Sequence, residues 1–165
     1  MKAGAAKKAA YGGVMTACAL ILSYIEYLLP INIGVPGIKL GLANIVTVVV
    51  LFWLGAGYAF AVNTLRIVVA ALLFSGVFGM LFGLAGGTLS IAVMVLAKRT
   101  GAFSIVGASI AGGVAHNIGQ LLVAAAFISN FAVLYYLPVL LTSGALTGLV
   151  IGILAKACQT MPSVS

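Results

Sequence analysis

At 165 residues the chain has the length of a single domain. Hydrophobic residues make up 64% of it and charged residues 5%, against about 25% charged in soluble domains, so a water-soluble fold is excluded and an all-α integral membrane protein is expected. The formal charge of +7 does not mark a nucleic-acid surface, because the cations sit singly or in pairs at the ends of apolar runs, where they act as topology signals.

A membrane-crossing helix needs roughly 17–25 largely apolar residues, and six runs meet or approach that length. The first, about 9–29, follows Lys2, Lys7 and Lys8. Secretory signals also begin with basic residues, but this run is longer than a signal core and five more follow it, so a retained helix is expected. Pro30 to Gly37 holds two prolines and two glycines and reads as a loop. Runs two and three, about 39–54 and 57–74, are parted by the Gly55-Ala56-Gly57 turn. Ser75-Gly76 precedes run four, about 79–97, and the polar turn Lys98-Arg99-Thr100-Gly101 precedes run five, about 103–128. Asn130 closes run five. Run six, about 133–155, carries Pro138 in its first turns, where proline is tolerated.

With six spans, Lys2, Lys7, Lys8, Lys98, Arg99 and Lys156 all fall on one side, which the positive-inside rule makes the cytoplasm. Both termini are then cytoplasmic, the chain is a multi-pass protein of the cell membrane, and the outer loops are 30–38, 75–78 and 129–132. Tyr135 and Tyr136 suit an outer aromatic belt and Trp53 an inner one. Cys18 and Cys158 lack metal or disulfide spacing and read as small buried residues.

Small residues recur every four positions: Ala5, Ala9, Gly13 and Ala17 in run one, Gly79, Gly83 and Gly87 in run four, Gly107, Ala111, Ala115 and Gly119 in run five, and Gly144, Gly148 and Gly152 in run six. Such stripes let helices approach closely in lipid. They read as the bundle's own packing, with a partner helix also open for the first.

Strongly polar residues away from the inner ends are Glu26, Lys39, Asn44, Asn63, Arg66, His116, Asn117 and Gln120. At about 1.5 Å per residue His116 lies roughly 20 Å from the inner end of its run. It shares a helical face with Gln120, and Asn117 sits one step round. Most of the set gathers in the outer half, over an apolar inner half. A channel would be polar along its length and an alternating-access carrier would hold its site at the midplane, so the pattern points to an outward-facing capture pocket.

Each residue has a competing structural reading. Arg66, near the midplane, marks function by default, or it pairs with Glu26, the one acidic residue, for assembly. Its side chain leans toward its helix start and can point below the pocket. Glu26 binds a ligand amine or pairs with Lys39, and Lys39 alternatively snorkels to the interface. His116 lines the pocket or bonds a neighbouring helix. Asn44 and Asn63 resemble interhelical glue more than ligands. The cationic excess favours a small anionic or zwitterionic substrate, with Phe74, Phe78, Phe82, Tyr135 and Tyr136 available as aromatic surface.

Three segments carry a family resemblance: Gly37-Ile38-Lys39-Leu40-Gly41-Leu42-Ala43-Asn44-Ile45-Val46, Ala115-His116-Asn117-Ile118-Gly119-Gln120 and Tyr135-Tyr136-Leu137-Pro138-Val139. Over about residues 9–156 the chain resembles the Gx transporter family, often labelled heptaprenyl diphosphate synthase component I, which is similar to the S components of energy-coupling factor (ECF) vitamin transporters. The resemblance implies a six-helix S-component bundle with an outward-facing site under the first extracellular loop. It implies as partners a transmembrane coupling protein and two cytoplasmic ATPases. Family members dock the coupling protein through an alanine-x-x-x-alanine pattern on helix one; the matching positions here are Ala9, Gly13 and Ala17, which depart in letter but not in size.

The synthase label meets an obstacle. Prenyl diphosphate synthases hold magnesium-bound diphosphate through aspartate clusters, because a hard cation needs carboxylate oxygens, and this chain has one acidic residue in all. No enzymatic activity of its own is expected, and no cofactor, since one histidine cannot ligate haem from both sides. The leading expectation is the substrate-binding membrane subunit of an ATP-driven importer. The alternatives are a non-catalytic membrane subunit of a prenyl-lipid or redox assembly and a solitary transporter.

Overall fold

The computed structural model describes residues 2–29, 40–128 and 135–158. Lys39, Asn130, the Pro30–Gly37 loop and the expected outer loops 30–38 and 129–132 lie outside them. The described residues form six α-helices and no strand: α1 Lys2–Leu28, α2 Leu42–Trp53, α3 Ala56–Ala70, α4 Gly76–Thr100, α5 Ile105–Ile128 and α6 Leu137–Cys158. Four stretches are long and apolar enough to cross a membrane, namely Ala6–Leu28, Ala56–Thr100, Ile105–Ile128 and Leu137–Cys158.

The longest stretch is not one rod. A π-helical turn, Ala71–Ser75, runs into Gly76 at φ 69° and ψ 178°, a backbone that glycine adopts without cost and other residues resist. The chain reverses there, so that Gly83 of α4 lies against Ile67 of α3 and Gly87 against Asn63. The expected four-residue loop 75–78 is thereby corrected to a single reversing glycine, because the π turn already carries the chain round.

Other boundaries shift for local reasons. α1 begins before residue 9 because the alanine-rich stretch Ala3 to Ala10 propagates helix readily. α2 starts at Leu42 rather than 39, after Gly41 turns into the left-handed region at φ 74°. Twelve residues give it about 18 Å, short of a bilayer core of about 30 Å. α6 starts at Leu137, which puts Pro138 in its first turn, as expected.

Consecutive helices run antiparallel. Glu26 meets Gly41, Asn44 meets Arg66, Met94 meets Gly112 and Val106 meets Gly152. Lys7, Lys8, Lys98, Arg99 and Lys156 therefore share one end of the bundle. That end is filled: Val48, Val50, Leu51, Ala59, Val62, Met94 and Ala155 form a core against which Phe52, Trp53 and Ile105 pack. Lys98 Nζ donates to the Leu51 carbonyl at 3.0 Å and stands 4.9 Å from the centre of the Phe52 ring, satisfying a carbonyl at the end of α2.

Glycine sets the closeness of α5 to both neighbours. A Cβ on Gly119 would lie 2.8 Å from the Ala85 carbonyl oxygen of α4, and one on Gly148 2.6 Å from that of Ser109. The expected run-five stripe holds in its later half and is incomplete. Ala115 and Gly119 are buried, whereas a Cβ on Gly107 would first meet Phe103 and Ser104, beside it in sequence. α5 packs on two helices and so needs two small faces, and Gly112 and Gly113 supply what a single stripe misses. On α1, Ala9, Gly13 and Ala17 are exposed, and a Cβ on Gly13 would touch nothing within 4 Å. Cys18 and Cys158 are exposed as well, against expectation; in an apolar helix the outer face is itself apolar, so exposure carries no penalty for a small hydrophobe.

Candidate functional site

At the end opposite the basic residues the helices part around a cavity of about 590 Å³. All six contribute to its wall: Ser23, Glu26 and Tyr27 from α1, Asn44 from α2, Arg66 and Ile67 from α3, Phe78 and Phe82 from α4, His116 and Gln120 from α5, Leu140 and Thr147 from α6. Of the sequence-predicted residues, Glu26, Asn44, Arg66, His116, Asn117 and Gln120 come together here. Lys39 is outside the described residues.

Arg66 is the most elaborately held. Its Nη2 donates to Asn44 Oδ1 at 2.8 Å and to Asn63 Oδ1 at 2.9 Å, Nε to the same Asn63 oxygen at 3.3 Å, and Nη1 to Ser23 Oγ at 3.4 Å. Asn63, 2% exposed, also accepts from Thr47 Oγ1 at 3.5 Å. It is interhelical glue, as its position suggested, and it draws the guanidinium one turn toward the start of α3, the direction in which helical side chains lean.

Glu26 takes a different partner. Its Oε1 accepts the Gly41 N–H at 2.5 Å, tying α1 to the start of α2, where unsatisfied N–H groups and the helix dipole favour an anion. No ion pair within 4.0 Å forms between Glu26 and Arg66, so the assembly-pair reading of these two does not hold at contact distance.

On α5 the three polar residues diverge. Asn117 turns its amide to α6, donating to the Leu140 carbonyl at 2.7 Å and Ser143 Oγ at 3.1 Å. The His116 ring packs on Gly86 of α4, where a Cβ would come within 3.0 Å of Nε2. Gln120 lines the cavity and hydrogen-bonds no described residue.

Phe74, Phe78, Phe82 and Tyr136 line the cavity as expected, while Tyr135 is 87% exposed and does not. Tyr27, unforeseen, joins them and stands 5.0 Å from Phe74 between ring centres. Ser23, Thr47 and Gly41 were also missed. Ser23 could have been found, since it lies three residues before Glu26 on one face of α1. Beneath the cavity, Thr47, Asn63, Ser90 and Ser109 surround a void of about 20 Å³, room for about one water among polar partners.

A family model described as heptaprenyl diphosphate synthase component I matches residues 15–158. No curated protein and no solved structure matches the chain.

Proposed function

The chain belongs to the heptaprenyl diphosphate synthase component I family, and from that premise we propose that it is the substrate-binding membrane subunit of an ATP-driven, ECF-type importer. It captures a small anionic or zwitterionic molecule from outside and performs no catalysis itself. The observation that carries this reading is the cavity that gathers Arg66, Glu26 and other polar side chains at one end of the bundle, opposed by a filled, basic end. A cavity of this size is in the range of small-molecule sites, about 300–1,000 Å³. The positive-inside rule makes the basic end cytoplasmic, which turns the cavity outward. α3 and α4 then count as two passes and α2 as a short one, for six in all in the cytoplasmic membrane.

The partners are a transmembrane coupling protein and cytoplasmic ATPases. The exposed Ala9, Gly13 and Ala17 face of α1 supports a docking surface for the first, since small residues let another helix come close in lipid. The test is ligand retention. Protein purified in native lipid should release a small molecule in native mass spectrometry, and Arg66→Ala, folded by circular dichroism, should not. Retention unchanged in that variant would sink the reading.

The family's description favours a second reading, a non-catalytic membrane component beside a prenyl-lipid-forming partner. Co-purification separates the two: ATPases with a coupling protein support the importer, a prenyltransferase the alternative.

A further inference from the structure

Resting on the capture reading, we propose that the cavity selects a zwitterionic head group, its carboxylate on Arg66 and its ammonium on Glu26, carried on a bulky apolar or aromatic body. Both charged residues line the same cavity. Ser23 lies between them in the structure: it accepts from Arg66 Nη1 at 3.4 Å and sits three residues before Glu26, on the same face of α1. The two opposite charges are therefore neighbours on one wall, yet no ion pair within 4.0 Å joins them.

Each is held by other groups. Glu26 is held through Oε1 by the Gly41 N–H, and Arg66 by the oxygens of Ser23, Asn44 and Asn63. An arginine has five N–H donors. Those bonds engage Nε, both donors of Nη2 and one of Nη1, which leaves a second Nη1 donor. Glu26 keeps Oε2 without a described partner. Among the described residues, one cationic donor and one anionic acceptor thus remain on the same wall, not joined by an ion pair.

That pair discriminates by sign. A simple anion drawn to Arg66 meets the Glu26 carboxylate, and a simple cation drawn to Glu26 meets the guanidinium; each wrong head leaves one charge opposed. A head carrying both signs satisfies both. Away from the head the wall turns apolar, with Ile67, Phe74, Phe78, Phe82 and Tyr136. A volume of about 590 Å³ equals about twenty water-sized groups at about 30 Å³ each, so the body is larger than the head. The ligand class is an α-amino-acid-like molecule with a large apolar side group.

The test uses the full chain in lipid nanodiscs and two matched probe series, tryptophan and naphthylalanine, each as the zwitterion, the N-acetylated anion and the decarboxylated amine. Calorimetry should show at least one zwitterion binding about tenfold or more tighter than both its singly charged forms. Glu26→Gln, which still accepts from Gly41, should erase the preference of zwitterion over N-acetyl anion while leaving the anion bound. An anion that binds as well as its zwitterion, or an unchanged ratio in Glu26→Gln, overturns the proposal and leaves the capture reading standing. No binding by any probe also overturns it, and the capture reading falls with it only if the native mass spectrum holds no retained molecule.

Discussion

Arg66 Nη2 and Asn44 Oδ1 meet at 2.8 Å, a charge-assisted bond from the last third of α3 to the first turn of α2. Through Asn63 and Ser23 the same guanidinium also fastens α3 to itself and to α1. The side chain that faces the cavity is thus also the knot that spaces three helices around it. Rigid holding of this kind lowers the ordering cost of binding, because the charge is already oriented before a ligand arrives.

Asn63→Ala tests the knot without touching the cavity wall. It removes the acceptor of Thr47 Oγ1 and two Arg66 donors, and a buried polar group left unpaired costs about 1–3 kcal/mol. Thermal unfolding in detergent should show a lower midpoint. Asn63→Asp keeps an acceptor and places an anion beside Arg66, so it should hold fold while weakening retention of any carboxylate ligand. Equal retention by Asn63→Asp and the parent would argue that Arg66 does not meet the ligand.

Gly148→Ala should part α5 from α6. The added methyl would sit 2.6 Å from the Ser109 carbonyl oxygen and 2.8 Å from the Ile110 Cα, both backbone atoms that cannot rotate away. Overpacking of this sort costs about 1–3 kcal/mol, and loss of the Ser109 Oγ bond to the Gly148 carbonyl, 2.7 Å long, should add to it. Gly57→Ala, which meets nothing within 4 Å, is the control and should unfold like the parent. Equal midpoints for the two variants would mean that the glycine contacts do not limit the approach.

Gly13→Leu separates folding from docking. Gly13 has open space around it, so the variant should fold and unfold as the parent does. On the proposed α1 docking face, a leucine side chain would keep a partner helix from close approach. Co-expressed coupling protein should then no longer co-purify. If it does so undiminished, the docking face lies elsewhere.

Glu26, Arg66, His116 and Gln120 were legible in the sequence because a polar group in an apolar run is costly enough to announce itself. Ser23 and Thr47 were not. A helical serine can satisfy its hydroxyl on its own preceding turn, as Ser23 does on the Ala19 carbonyl at 2.9 Å, so its presence signals no cost. Gly41 was hidden for another reason: its part is played by a backbone N–H, which every residue but proline carries. The antiparallel order of the helices followed from charge placement and run lengths. The second small face of α5, at Gly113, did not, since periodicity on one face is blind to a helix packed on both sides.

The reversal at Gly76 yields the last test, of topology. Gly76 holds φ 69° and ψ 178°, and it is exposed, with nothing within 4 Å of a Cβ. An added methyl therefore meets no neighbour, and any effect of Gly76→Ala comes from the backbone, where such conformations cost of order 1–3 kcal/mol for residues with a Cβ. The thermal midpoint should fall, and that fall reports the turn. Which side of the membrane the turn occupies is read separately. In a background with Cys18 and Cys158 changed to alanine, Val77→Cys, 66% exposed beside the turn, should react in intact cells with a maleimide that cannot cross the membrane. Thr100→Cys, exposed at the basic end, should react only after the cells are opened. The opposite pattern would turn the cavity toward the cytoplasm and end the case for capture from outside, whereas labelling of both sites in intact cells would mean that α4 does not cross.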